Sequence, residues 1–570
     1  MQSTTVTIVV PALLLVALPA RGEERYVAPD GDDANPGSLD QPFATVERAQ
    51  EAAAPGDTVW IRGGLYGFSG TSRTTGVSFT KSGVPENPIR YFAYPDEAPV
   101  FDLFELKPQE RVTGLDVRCN WIHVRGLEVR GVRQIVVGDS WGVRVRGDHN
   151  VIEHLHVHDN EAPGVFITSG SDNLILNCDS HHNYDPLEDG DNADGFGCHS
   201  TGQGNVLRGC RAWDNSDDGF DFINAAGACT VEHSWAFRNG YIPDTDMYAP
   251  NGNGAGFKAG GYGYPPRTPA SGAARHIVRF NVAFGNRVVG FYANFHPGGI
   301  DFVHNTAFDN PANFDMRTPG TPSSHTLRNN IAAGTGHTII NFDGGSDDFN
   351  SWTLPVTITA DDFESLDHAE VYAPRLSDGS LPPMKLGRLR NDSDLVDRGE
   401  DRGLPFAGAA PDLGAFEVGL EPEGDPQQAD AGVMSADAGQ MQHSDAQAGV
   451  AGGAGHGGAA TGTDRGRERP TRSTSPSATT PEVAGQAGTA AGAAAASSQP
   501  ATMQSTQLTE QTSTNQARGC GCRLASTPPH RKHPWLWWLA GSMGLWLHSR
   551  RRPRFVARSR KPLAQAQRPA

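Results

Sequence analysis

Between residues 150 and 310 the apolar positions of this chain fall into columns. Segments that end in asparagine repeat one internal order at 150–160, 173–183 and 205–215, with looser copies at 229–239, 276–286 and 300–310. Counted from each start, the third place holds Ile152, Ile175, Leu207, Val231, Val278 and Phe302. The eighth holds Val157, Ser180, Ala212, Ala236, Ala283 and Ala307, and the sixth includes Leu155, Cys178 and Cys210. Size matches size down each column, as stacked coils require when every column becomes one file of interior side chains. The terminal Asn is expected in a tight turn, where its amide bonds backbone and tolerates left-handed geometry.

A second strand signal follows each segment: Gly164-Val165, Gly195-Phe196, Gly219-Phe220, Gly256-Phe257, Gly290-Phe291 and, with Asn for Gly, Asn313-Phe314. Alternation sorts the faces. Val165, Phe196, Phe220, Phe257 and Phe291 point inward, and so do Ile167, Cys198, Phe222, Ala259 and Ala293 two places on. The place between them faces out and holds Phe166, Gly197, Asp221, Lys258 and Tyr292. The place before Gly also faces out, with Pro163, Asp194, Asp218, Ala255 and Val289. The coils return every 23 to 37 residues, so insertions leave them as loops. The pattern predicts an all-β chain folded as a right-handed parallel β-helix over 24–420. An amphipathic helix at 44–54 is placed to cap its open N-terminal end, and 411–417 resembles a closing segment of secreted β-helix proteins.

The chain's two ends and its composition add other constraints. The apolar run 6–20 followed by Ala20-Arg21-Gly22 reads as a secretory signal peptide over 1–22, although its n-region lacks positive charge. Residues 421–518 are rich in Ala, Gly, Ser, Thr and Gln with hardly an aromatic, too little apolar surface to offset ordering entropy, and are expected to form a disordered linker. Over 519–570 come Cys520-Gly521-Cys522, an uncharged run 535–547 and Arg550-Arg551-Arg552. Thirteen residues fall short of the roughly 20 needed to span a bilayer. The order resembles the C-terminal sorting signal of myxobacterial surface proteins, which implies a secreted, surface-attached protein. The five remaining cysteines (119, 178, 198, 210, 229) follow no zinc spacing, and their odd number leaves at least one thiol free.

A formal charge of −18 argues against nucleic acid as partner and disfavours unaided binding of an acidic polymer. The outward files answer the second objection. Asp194 and Asp218 share one file, Asp221 lies in the next, and Asp217 stands on the turn between. Adjacent parallel strands lie about 4.8 Å apart. Four carboxylates at that spacing repel unless a cation lies among them, and aspartate-only ligation selects a hard ion such as Ca²⁺. No His joins the set in register, so zinc is not expected there. Lys258 follows Asp221 one coil on. A divalent cation nearby and partial burial both lower a lysine's pKa, and a neutral lysine can act as a general base. Together these parts describe β-elimination on a polyuronate, with the metal reconciling acidic protein and acidic substrate.

The motifs Asn192-Ala193-Asp194-Gly195-Phe196, Asn215-Ser216-Asp217-Asp218-Gly219-Phe220-Asp221 and Asn253-Gly254-Ala255-Gly256-Phe257-Lys258 resemble those of polysaccharide lyase family 9, the β-helical pectate lyases. The resemblance implies Asp194, Asp217, Asp218 and Asp221 as ligands of one catalytic Ca²⁺ and Lys258 as the base. It also implies an acidic, polygalacturonate-like substrate, and the chain is expected to act as a monomer. Arg287, Arg317 and Arg267 are candidates for holding substrate carboxylates, and Tyr262 and Tyr264 for a sugar-stacking wall. The insertion 242–250 is placed to reshape the groove. Three other readings stay open. A family 28 pectin hydrolase would need a Gly-His-Gly and an Arg-Ile-Lys that the core lacks. A uronate epimerase begins with the same proton abstraction, and a non-catalytic surface adhesin would use Ca²⁺ only to stiffen its coils.

Overall fold

The computed structural model describes residues 22–138, 140–263, 272–318 and 324–420. The leader expected over 1–22 (but for Gly22), the linker 421–518 and the segment 519–570 lie outside them, as do Arg267 and Tyr264. The described chain is a parallel β-helix of three sheets, one of twelve strands and two of ten, in which every strand pair is parallel and joins one coil to the next. The columns read from the sequence are the observed register. Ile152 pairs with Ile175, Ile175 with Leu207 and Leu207 with Val231 in the first sheet. Val157 pairs with Ser180, Ser180 with Ala212 and Ala212 with Ala236 in the third. In the second sheet Phe196, Phe220, Phe257 and Phe291 stack face on face inside, with ring centroids 4.7 to 5.0 Å apart.

The asparagines do something other than turn the chain. The left-handed position belongs to the residue before each: Asp159, His182, Asp214, Arg238, Gly285 and Asp309 all have positive φ, and the asparagines do not. Asn160, Asn183, Asn215, Asn239, Asn286 and Asn310 instead form a buried ladder. The Oδ1 of each accepts the side-chain amide of the one before, at 2.9 to 3.1 Å. Burial is why: an interior corner leaves backbone groups without water, and an amide both donates and accepts.

That corner also explains the Gly-Phe signature. A Cβ on Gly195 would sit 2.8 Å from both Ala212 Cβ and Asn215 Nδ2, and one on Gly219 would sit 2.6 Å from the Gly256 carbonyl and 2.9 Å from Asn239 Nδ2. Glycine file, asparagine ladder and small third-sheet column are one packing unit. Gly219→Ala is therefore expected to cost about 1–3 kcal/mol, the usual range for overpacking. A lowered urea midpoint with unchanged slope checks it.

The capping helix spans Val46–Ala52, shorter than the predicted 44–54 because Thr45 caps it, its side chain accepting from the Arg48 N–H. Its buried face, Val46 and Ala49, joins the same core as Phe43 and Val59. The C-terminal stretch covers a side of the helix rather than closing its end. Leu413 and Ala415, with Phe363, Val371 and Leu386, bury Trp235, Phe237, Phe284 and Ile331 on the outer face of the third sheet. Cys198 and Cys229 are disulfide-bonded, and Cys119, Cys178 and Cys210 are buried free thiols. Among the described residues no helix is long and apolar enough to cross a membrane.

Candidate active site

Three consecutive strands of the second sheet, Phe196–Cys198, Phe220–Asp221 and Ala255–Lys258, carry the predicted constellation. Asp221 pairs directly with Lys258, and Gly197 with Asp221, as the outward file requires. Asp194 and Asp218 stack one coil apart, the Asp218 N–H donating to Asp194 Oδ1 at 3.0 Å and the Ala255 N–H to Asp218 Oδ1 at 2.7 Å. Each carboxylate thus has one oxygen fixed by the next coil's backbone. Asp221 Oδ1 likewise accepts the Ile223 N–H at 2.7 Å. Oxygens of Asp194, Asp218 and Asp221 lie within 4.8 Å of one another. Asp217 stands beside that trio, its Oδ1 accepting from both the backbone N–H and the side-chain amide of Asn253.

The sequence predicts a solvent-facing patch, but all four aspartates are no more than 3% exposed and Lys258 is 7% exposed. Lys258 Nζ lies 3.0 Å from Asp218 Oδ2 and 3.2 Å from Asp221 Oδ2. One ammonium faces four carboxylates, and the imbalance sets the titration of the cluster. Burial, and then the charges of Asp217, Asp221 and Asp218, push Asp194 well above the usual carboxylate range. Burial and Asp218 do the same to Asp217, and burial pushes Asp218 up to about 6 despite its ion pair with Lys258. For Lys258 the expected direction is reversed. Burial disfavours its charge, but Asp218, Asp221, Asp217 and Asp194 outweigh it and hold the ammonium well above its ordinary value. The four carboxylates by themselves make the lysine their counter-ion.

This arrangement fits a divalent cation. Like charges about 4 Å apart repel by about 4 kcal/mol at an effective dielectric constant of 20, and three buried carboxylates converge with only Lys258 between them. Asp218 Oδ2 is buried and makes no aligned hydrogen bond. An all-oxygen donor set of this kind suits a hard ion.

Of the auxiliary residues, Arg287 is occupied elsewhere. Its guanidinium donates to the carbonyls of Ala249 and Gly252, at 2.6 and 2.8 Å, and lies over the Tyr248 ring, so it props the inserted loop. That loop reaches the site through Asn253, which orients Asp217. Arg317 is paired with Asp315, which follows Tyr292 in the Lys258 file. Tyr262 is buried, donates to the Ala225 carbonyl at 2.7 Å and stacks on His296, so it forms no wall for sugars. Three neighbours escape a reading of motifs. Asn253 sits inside a recognised motif yet serves Asp217. His199 Nε2 lies 3.8 Å from Asp221 Oδ2, and Tyr292 pairs with Lys258. Only the register placing Gly197 and Tyr292 beside the motif residues could have found the last two.

A family described as Pel9A-like, right handed beta helix region, matches residues 25–330. Pectate lyase L of Dickeya chrysanthemi is 36% identical over 402 residues, which cover 69% of this chain and 90% of that protein. Among solved structures, pectate lyase Pel9A matches with a TM-score of 0.61 and 34% identity over 69% of this chain and 96% of its own. A rhamnogalacturonan lyase matches with a TM-score of 0.61 and 36% identity over 65% of this chain and 97% of its own. The chain belongs to the Pel9A-like right-handed β-helix family and is homologous to the pectate lyases of polysaccharide lyase family 9.

Proposed function

We propose that this polysaccharide lyase cleaves a polyuronate such as pectate by Ca²⁺-dependent β-elimination, with Lys258 as base and Asp194, Asp217, Asp218 and Asp221 as the metal's ligands. The observation that carries the reading is the buried Lys258 ammonium held at 3.0 and 3.2 Å between two members of an aspartate cluster. Bound Ca²⁺ would offset the carboxylate charge that now holds Lys258 protonated and would supply positive charge for a uronate carboxylate. Lys258 Nζ, as the free amine, takes the proton from C5 of the uronate. The electron pair forms the C4–C5 double bond, the C4–O bond breaks, and the departing oxygen takes a proton from water. Asn253 keeps Asp217 in place, and the backbone bonds to Asp194 and Asp218 fix those carboxylates before any ligand arrives, which removes reorganisation from the reaction. The apolar leader and the C-terminal Cys, apolar and Arg segments support action outside the cell, at its surface.

The likeness to a rhamnogalacturonan lyase favours a second substrate, rhamnogalacturonan. Ultraviolet absorbance with each polymer, in Ca²⁺ and in chelator, tests both. A rise only in Ca²⁺ is expected, and the polymer that gives it names the substrate. Reducing ends without absorbance would point to hydrolysis, and no change with any uronate polymer would leave the adhesin.

A further inference from the structure

We propose that the outer face of the third sheet carries a second metal site, formed by Glu128, His156 and His158 and suited to a transition-metal ion such as Zn²⁺. In the strand His156–His158 the two imidazoles flank the buried Val157 and leave the same face. The preceding coil sets Glu128 beside His156 and Arg130 beside His158. One donor atom from each of Glu128, His156 and His158 lies within 4.8 Å of the others.

His158 gives the second, independent sign. It is 8% exposed, and its Nδ1 contacts Asp159 Oδ2 at 2.8 Å. A carboxylate on Nδ1 is the partner that orients a histidine whose Nε2 holds a metal. His158 Nε2 is buried without a hydrogen-bond partner, 3.3 Å from Glu128 Oε1. A cation held between these two atoms would bond both.

The surroundings agree. Asp179, which follows His156 in its file, is already engaged by Arg211 and Arg375, so it adds no free carboxylate. His181 is engaged at both ring nitrogens, its Nε2 2.5 Å from His156 Nε2 and its Nδ1 2.5 Å from His182 Nδ1, so it packs beside the trio rather than joining it. Arg130 is the competitor: its Nη1 donates to Glu128 Oε1 at 3.3 Å and its Nε to Asp102 at 3.1 Å, on a side chain 40% exposed and able to swing away. Imidazole with one carboxylate suits Zn²⁺, Cu²⁺ or Ni²⁺, whereas Ca²⁺ takes oxygens, so the two sites sort their ions by chemistry.

The test is calorimetric titration of the full chain with Zn²⁺ in saturating Ca²⁺, for the native protein, an Asp218→Asn variant and a His156→Gln/His158→Gln double variant. One tight equivalent is expected in the first two and at least about tenfold weaker binding in the third. His156→Gln alone, at an exposed position, gives the same answer should the double variant not fold. No tight Zn²⁺ equivalent in the native chain, or one unchanged in both histidine variants, overturns the proposal.

Discussion

Lys258→Ala is expected to lower kcat by about 10²–10⁴-fold, the contribution of a positioned general base, while Ca²⁺ binds more tightly than to the native protein. The two changes have one cause. Nζ is the ammonium that partly neutralises Asp218 and Asp221, at 3.0 and 3.2 Å, so it competes with any cation for the same oxygens. Removing it takes away the base and the competitor together. Lys258→Arg is expected to stay inactive, because a guanidinium keeps its proton at any working pH. Steady-state kinetics with calcium titrations separate this from a structural role, in which kcat and metal affinity would fall in parallel. Retained activity in Lys258→Ala would remove the lysine from the mechanism.

The second large effect is a reversal of pH dependence by metal. Asp218, with an ordinary value near 3.8, is pushed up to about 6 by burial, and Asp194 and Asp217 are pushed well above their usual range. A carboxyl raised in the folded state binds its proton more tightly folded than unfolded. Its stabilising proton is fully present below pH 3.8 and is lost as pH rises through about 6. In chelator, then, the cluster contributes stability at pH 4 and withdraws it by pH 7, on the order of 3 kcal/mol from Asp218 by itself. Ca²⁺ requires the ionised carboxylates, so its stabilisation grows over the same window and vanishes towards pH 4. Thermal unfolding at pH 4 to 8, with Ca²⁺ and with chelator, should show the gap between the two curves widening as pH rises. A constant gap would mean that the metal binds elsewhere. Asp218→Asn keeps an acceptor for the Ala255 N–H but not the charge, and is expected to lose most of the calcium effect.

The register was the most legible property of the sequence, because each column repeats a size and stacked coils turn size into position. From it Asp194, Asp218, Asp221 and Lys258 could be set beside one another correctly. Properties that depend on what surrounds a residue were not legible. The asparagines read as turn residues, since nothing in a single segment shows that six of them align into one interior ladder. Lys258 read as a lysine of lowered pKa, because motif spacing does not show how closely four buried carboxylates crowd its ammonium. Arg287 and Tyr262 lost their proposed roles to partners brought near by loops of irregular length, on which periodicity is silent. The His-x-His at 156 and 158 was in plain sight, but its meaning depends on Glu128 from the coil before.

The strand Phe220–Asp221 lies in the interior of a ten-strand sheet, with four strands beyond it on one side and five on the other. In a nearest-neighbour stack, opening begins at the ends and runs inward. The coil with three of the four aspartates is therefore among the last that a fraying solenoid reaches. Amide hydrogens there should exchange most slowly, near the rate of global unfolding, and those of Thr75–Phe79 and His337–Ile340 much sooner. An enzyme losing coils from either end would keep its aspartate cluster intact until its final cooperative unit gave way.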